Sequence, residues 1–308
     1  MPFKTLTSFL LFFSLFTFHS SLLSQSVSPP ELLRIPYTSH NQHEQRNFFL
    51  YLPAGYRSDS TDHHWPVMLF LHGNGERGNG RDELDYVLKE GPVYEAWIQK
   101  RDLPFIIISP QLPMYGMDSI PYIHNRNVSS IPKRLESGLP DRPAEFTTPE
   151  KMEPEAATVV FPDAMPRAGW EREEKDLMDM TETILNDYHG DPARIYLTGL
   201  SYGGFGTWYM ASKHPKTWAA IAPIVGWGHP DLMEPIASHH IPLWVFAGGR
   251  DHNVELRYFY AGLNKLEQLG HTDVRFTIEE DMGHDTWRRV YAGEDLYTWL
   301  LTKVKREK

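Results

Sequence analysis

The chain has no cysteine in 308 residues. That single absence excludes disulfides, thiol nucleophiles, cysteine-ligated metals and an acylated lipoprotein cysteine. A chain of this length buries a sizeable core without disulfides, so their lack fits an exported protein as well as any other. There is no low-complexity tract, no internal repeat, and no uninterrupted run of the ~18 apolar residues that a membrane span needs. Positive charge is the minority: 30 Lys and Arg face 40 Asp and Glu, a formal net charge of −10. Such a balance argues against nucleic acid or an anionic membrane surface as a partner. Gly-Lys-Ser or Gly-Lys-Thr, which a phosphate-cradling loop would carry, is missing from the glycine-rich stretches. The paired histidines His63-His64 and His239-His240 point neighbouring side chains apart and do not make a metal site. Neither a metal nor a cofactor is expected.

What the N-terminus does have is an address. Lys4 precedes the apolar run Phe9 to Phe18, and small polar residues end at Ser24-Gln-Ser26. A basic start, a short apolar stretch and a small-x-small end read as a secretory signal peptide. Residues 1–26 are expected to be removed. That would leave 27–308 as a secreted or periplasmic domain, with no stable membrane insertion. Asn127-Val-Ser129 is a glycosylation sequon, meaningful only in a eukaryotic host.

Short apolar runs then alternate with helical patterns. Strands are predicted at Leu32–Tyr37, Arg46–Leu52, Pro66–Leu71, Phe105–Ser109, Arg194–Thr198, Ala219–Val225, Pro242–Ala247 and Val274–Glu279. Helices are predicted at Asp82–Lys89, Val93–Lys100, Glu171–Tyr188, Tyr202–His214, Val254–Leu269 and Glu294–Val304. Leu177, Met180, Ile184 and Tyr188 share one face, and the charged run Glu171 to Asp176 reads as the solvated face. Continuous apolar strands between helices predict an α/β class with a mostly parallel sheet covered on both sides. Such sheets place their chemistry at the strands' carboxyl ends.

Three motifs stand at those ends. Gly199-Leu-Ser-Tyr-Gly203 follows a strand and opens a helix, which is the form of a nucleophile elbow. The pattern alone arises by chance in roughly one chain of this length in ten, so its setting decides. Asp251 follows the strand Pro242–Ala247, and His284 follows the last strand. A serine needs a base and the base an orienting acid. Ser201, Asp251 and His284 come in the chain order expected of an α/β-hydrolase sheet. Glu255 is a weaker acid candidate one helical turn later, and Asp281 and Asp285 lie too near His284 in sequence. Negative charge developing on an attacked carbonyl calls for fixed donors. The N–H of Tyr202 is one candidate. The second is the N–H of Asn74, in the loop His72-Gly-Asn-Gly-Glu-Arg-Gly-Asn-Gly80.

His72-Gly-x-Gly-Glu-Arg-Gly78, Pro110-Gln111, Arg194 to Trp208, Gly283-His-Asp-x-Trp287 and Tyr297-x-Trp-Leu-Leu301 carry a family resemblance. Together they resemble the α/β-hydrolase serine esterases of the phospholipase/carboxylesterase and dienelactone-hydrolase-like branch. Their secreted members include predicted peptidases, polyhydroxybutyrate-depolymerase-like and feruloyl-esterase-like proteins. The resemblance implies cleavage of a carboxylic ester, carried by a small molecule or a polymer, through a Ser-His-Asp triad and an acyl-enzyme. A serine peptidase of prolyl-oligopeptidase type is the alternative. Peptidases of that kind often carry a screening domain, and none is legible here, which favours esters. The sequence departs from compact relatives in a proline-rich insertion at 112–169, read as a cap over the site. Trp227 and Trp287 are candidate pocket walls. Tyr115, Met117, Tyr122 and Trp170 are candidates from the insertion.

Overall fold

A computed structural model describes Met1 and residues 27–57, 63–136, 138 and 169–305. The expected signal peptide and the stretch 139–168 of the insertion lie outside the described residues. Eight strands form one sheet: β1 (Glu31–Thr38), β2 (Gln45–Leu52), β3 (Trp65–Leu71), β4 (Ile106–Ser109), β5 (Gly190–Leu200), β6 (Ala220–Ile224), β7 (Leu243–Gly248) and β8 (Val274–Glu279). Their order is β1-β2-β4-β3-β5-β6-β7-β8. β2 runs antiparallel to both neighbours, and β3 through β8 are parallel to one another. The helices are α1 (Pro121–His124), α2 (Glu174–Asp187), α3 (Tyr202–Lys213), α4 (Met233–Ser238), α5 (Phe259–Gln268), α6 (Trp287–Ala292) and α7 (Asp295–Leu301). This is the α/β-hydrolase architecture.

The period of two in each strand divides the core into two layers. Val67, Leu69 and Leu71 of β3 join Ile195, Leu197, Leu243 and Val245 in a cluster completed by Leu177 of α2, Trp208 of α3 and Phe259 of α5. Met68 and Phe70, one residue out of step, join Ile107, Tyr196 and Phe246 on the opposite face, against Val290 of α6 and Trp299 of α7. Both faces of the central strands are therefore dry, which is why they read as unbroken apolar runs.

Differences from the sequence reading are local. Asp82–Lys89 and Val93–Lys100 are not α-helices: the first tightens to a 3₁₀ turn at Leu84–Lys89, and the second is a π turn at Tyr94–Ile98. Gly91 breaks them apart at φ +87°, and a Cβ there would stand 2.1 Å from the Phe70 ring. α5 begins at Phe259 instead of Val254, because Asp251 holds the preceding N–H groups in a turn. The charged run before α2 is not all solvated. Glu173 and Asp176 are buried, accepting from the Tyr115 hydroxyl and the His40 N–H.

Candidate active site

β3, β5, β6, β7 and β8 lie side by side and end on one edge, with Leu71 opposite Gly199 and Gly248 opposite Glu279. Ser201 follows β5 directly and has φ 52°, ψ −114°, a conformation that L-residues avoid. The turn is so tight that the glycines flanking it at a distance of two residues touch backbone. A Cβ on Gly199 would meet the Gly203 carbonyl oxygen at 2.3 Å, and one on Gly203 would meet the Leu71 carbonyl oxygen at 1.8 Å. Strain at one serine is held by close backbone packing on both sides.

The turn delivers the serine hydroxyl to a base. Ser201 Oγ lies 2.9 Å from His284 Nε2, and His284 Nδ1 lies 2.8 Å from Asp251 Oδ2. The Asp251 side chain is fully covered, and its other oxygen accepts the N–H groups of Asn253 and Val254 at 2.8 and 2.9 Å. A carboxylate pinned on both oxygens presents one fixed edge to the imidazole. Trp287 meets the His284 ring edge-on at 5.1 Å and limits its tilt. The weaker acid candidates point elsewhere: Glu255 pairs with Arg257, and Asp281 with Arg289.

The loop after β3 lies against this turn, since a Cβ on Gly73 would come within 3.6 Å of Ser201 Cβ. Asn74 opens a 3₁₀ turn and Tyr202 opens α3. Both N–H groups therefore stand where a helix has no acceptor of its own to offer. His72 anchors the loop from beneath. Its Nδ1 donates to the Gly73 carbonyl at 2.6 Å and its Nε2 accepts the Leu112 N–H at 2.9 Å. Complete burial pushes its pKa down to about 3, so the ring is neutral in this tautomer. Glu76 Oε2, 3.9 Å from His72 Nδ1, is buried too, and desolvation raises its pKa to about 7. The pair is thus a neutral imidazole beside a carboxyl near its midpoint, and not an ion pair.

Polar side chains from afar brace the rest of the loop. Arg46 donates to the Gly78 and Gln111 carbonyls at 2.9 and 2.8 Å, and Gln111 Nε2 donates to the Glu76 carbonyl at 2.9 Å. The first part of the insertion joins in. Asn74 Nδ2 donates to the Tyr122 hydroxyl at 2.6 Å, and Arg126 bonds the carbonyls of Gly75 and Arg77 and the Glu83 carboxylate. Sequence reasoning missed Arg77, Arg126 and Glu76 as site residues. The only signal was two charges, Glu76 and Arg77, set between glycines that must pack closely.

The aromatic candidates separate. Trp287 stands against His284, and Trp227 packs edge-on against Phe205 of α3 at 5.1 Å. Trp170 is 1% exposed; its Nε1 donates to the His72 carbonyl, and its ring packs on His72 and Gly206. It supports the nucleophile turn from below instead of lining a pocket. Tyr115 gives its hydroxyl to Glu173 and is covered by Arg172, fastening the insertion to the start of α2. Among the described residues, no three His, Asp or Glu side chains converge to hold a metal, and no helix is long and apolar enough to cross a membrane.

Comparison with known proteins agrees with this fold. Residues 161–237 match the prolyl oligopeptidase family of S9 peptidases, a span that contains Ser201 and stops short of Asp251 and His284. Over 50 residues the chain is 40% identical to poly(3-hydroxyalkanoate) depolymerase C of Paucimonas lemoignei, which is 16% of this chain and 12% of that enzyme. A thermostable esterase superposes with TM-score 0.58 at 22% identity, covering 89% of this chain and 63% of that one. A CE1 ferulic acid esterase from Anaeromyces mucronatus does so with TM-score 0.52 at 17% identity, covering 91% and 92%. The chain thus spans a small part of the depolymerase and under two thirds of the thermostable esterase.

Proposed function

We propose that the chain, which has the α/β-hydrolase fold, is an exported serine hydrolase that cleaves carboxylic esters through Ser201, His284 and Asp251. The observation that carries this reading is the aligned chain of two hydrogen bonds, 2.9 Å and 2.8 Å, ending on a serine in a strained turn. Ser201 Oγ attacks the ester carbonyl as His284 Nε2 takes its proton. Asp251 keeps the Nδ1 proton in place and stabilises the imidazolium that forms. The Tyr202 and Asn74 N–H groups receive the oxyanion. His284 then returns the proton to the leaving alcohol, and a water activated by the same nitrogen releases the acid. Trp227 and Trp287 flank the space for the acyl and leaving groups. The likeness to a depolymerase of a polyester and to a ferulic acid esterase supports an ester attached to a small molecule or a polymer. The peptidase reading is supported by the S9 match, which does not extend to the base and acid, and by a likeness in fold to an acylaminoacyl peptidase of Pyrococcus horikoshii, TM-score 0.55 at 13% identity over 91% of this chain and 43% of that one.

The test is an assay of the protein on p-nitrophenyl acetate through octanoate, methyl ferulate, acetylated xylan, poly(3-hydroxybutyrate) and a chromogenic dipeptide, with Ser201→Ala in parallel. Ester turnover that falls by ~10³ or more in the variant is expected. Peptide cleavage without ester preference would replace this reading by the peptidase one, and ester turnover retained by Ser201→Ala would end it. Export is tested by N-terminal sequencing of the protein from the culture medium or periplasm. The expected start is Val27.

A further inference from the structure

Arg77 is fully buried beside the site and has no part in the proton transfers described. Its Nε donates to Asn74 Oδ1 at 2.5 Å, and its Nη1 donates to the Pro113 carbonyl at 2.7 Å. Its guanidinium carbon stands 5.0 Å from the centre of the Tyr202 ring. One side chain therefore touches both residues whose N–H groups serve as oxyanion donors, together with the first turn of the insertion. Those two residues come from loops after different strands, β3 and β5. No backbone hydrogen bond between them is needed if one planar cation spans both.

We propose that Arg77 is a positioning residue of the oxyanion site, holding the Asn74 and Tyr202 peptides in register and lending a desolvated positive charge that favours an oxyanion over a neutral carbonyl. This rests on the reading of Ser201 given above. The physical case is one of choice of residue. A spacer alone could be methionine, which fills similar volume without the cost of burying a charge. A guanidinium in a water-poor site acts more strongly than in bulk water on a charge that forms nearby, and it does so without reorganising. Lysine would keep the charge but not the fixed fork that reaches Asn74 and Pro113 at once.

A pair of ketones separates the electrostatic role from simple structural support. With an alkyl trifluoromethyl ketone, Ser201 Oγ bonds to the carbonyl carbon, the C=O π pair moves onto oxygen as an alkoxide, and the serine proton passes to His284. The methyl ketone of equal chain length binds as a neutral carbonyl. In Arg77→Met, inhibition by the trifluoromethyl ketone should weaken by ~30–100-fold, and kcat on p-nitrophenyl esters should fall by a similar factor. KM and methyl ketone inhibition should stay within about threefold. Arg77→Lys should lose roughly 5–10-fold on the trifluoromethyl ketone only, and it decides the matter if the Met variant does not fold. Equal weakening of both ketones, or no change in either, would overturn the proposal. Labelling of the wild type by a fluorophosphonate probe keeps the two claims apart. An unlabelled wild type overturns the esterase reading and this role with it, whereas a labelled wild type with unsplit ketones overturns only the role of Arg77.

Discussion

The two walls of the site are built by different physics. The nucleophile wall, from β5, β7 and β8, is set by backbone against backbone: Gly199, Gly203 and Leu71 are in contact, and Asp251 is fixed by its own turn. The oxyanion wall, the loop 72–80, has glycines too, but its shape comes from side chains far along the chain. Arg46, Gln111 and Arg126 reach its carbonyls and N–H groups, and its own His72, neutral and buried, ties it to the Leu112 N–H. The first wall has no slack, because backbone carbonyls of Leu71 and Gly203 stand where a side chain would have to go. The second is a network of individually modest hydrogen bonds, each worth about 1–3 kcal/mol, whose members come from β2, β4 and the insertion.

That contrast predicts abrupt failure on one side and graded failure on the other. Asp251→Asn should keep the fold and lower kcat by ~10³–10⁴, because the imidazole loses the acceptor that fixes its tautomer; melting temperature and ester kinetics measured together check this. Gly203→Ala forces a methyl into the Leu71 carbonyl, so activity should drop by ~10²–10³ with a loss of roughly 3 kcal/mol or more in denaturant unfolding. A variant with unchanged stability there would show that the elbow is looser than its contacts imply. On the oxyanion wall, Arg126→Ala removes the bonds to Gly75, Arg77 and Glu83 and should cost only ~10-fold in kcat, with KM nearly unchanged. A loss as large as that of Asp251→Asn would erase the distinction between the walls.

The smallest effect is one of pH. Glu76 has its folded pKa raised to about 7, so the native state holds a proton that the unfolded chain releases from about pH 4.5 upward. This group makes stability fall as pH rises from 4.5 to 7. His72 acts oppositely: with its folded pKa near 3, the native state binds fewer protons than the unfolded chain, and stability falls as pH drops from 6.5 to 3. Glu76→Gln removes the first contribution and leaves the second. The difference in melting temperature, variant minus wild type, should therefore grow from pH 5 to pH 7. A flat difference would mean that water reaches the Glu76 carboxyl.

The fold was legible in the sequence because it is written in local signals. The central strands β3, β4 and β6 are apolar runs between two dry faces, and the edge strand β1 alternates half-buried with exposed residues, so each carries its evidence within itself. That Ser201, Asp251 and His284 come together was legible for a related reason: each sits just past its strand, and a doubly wound sheet gathers such positions at one edge. The insertion was harder. Trp170 and Tyr115 read as ligand contacts because large aromatics in a proline-rich stretch look unemployed. In the structure one supports the nucleophile turn and the other ties the insertion to α2.

The sequence by itself determined the strand order of chemistry, the elbow with its two glycines, and the absence of cysteine, since these depend on residue type and spacing alone. Only the tertiary structure decided that Glu173, Asp176, Glu76 and Arg77 are buried, which tautomer His72 adopts, and that the insertion holds the loop 72–80. The physical reason is that a polar residue is tolerated inside only by its partners. Arg46 finds its own 32 and 65 residues away, a separation at which no periodicity survives.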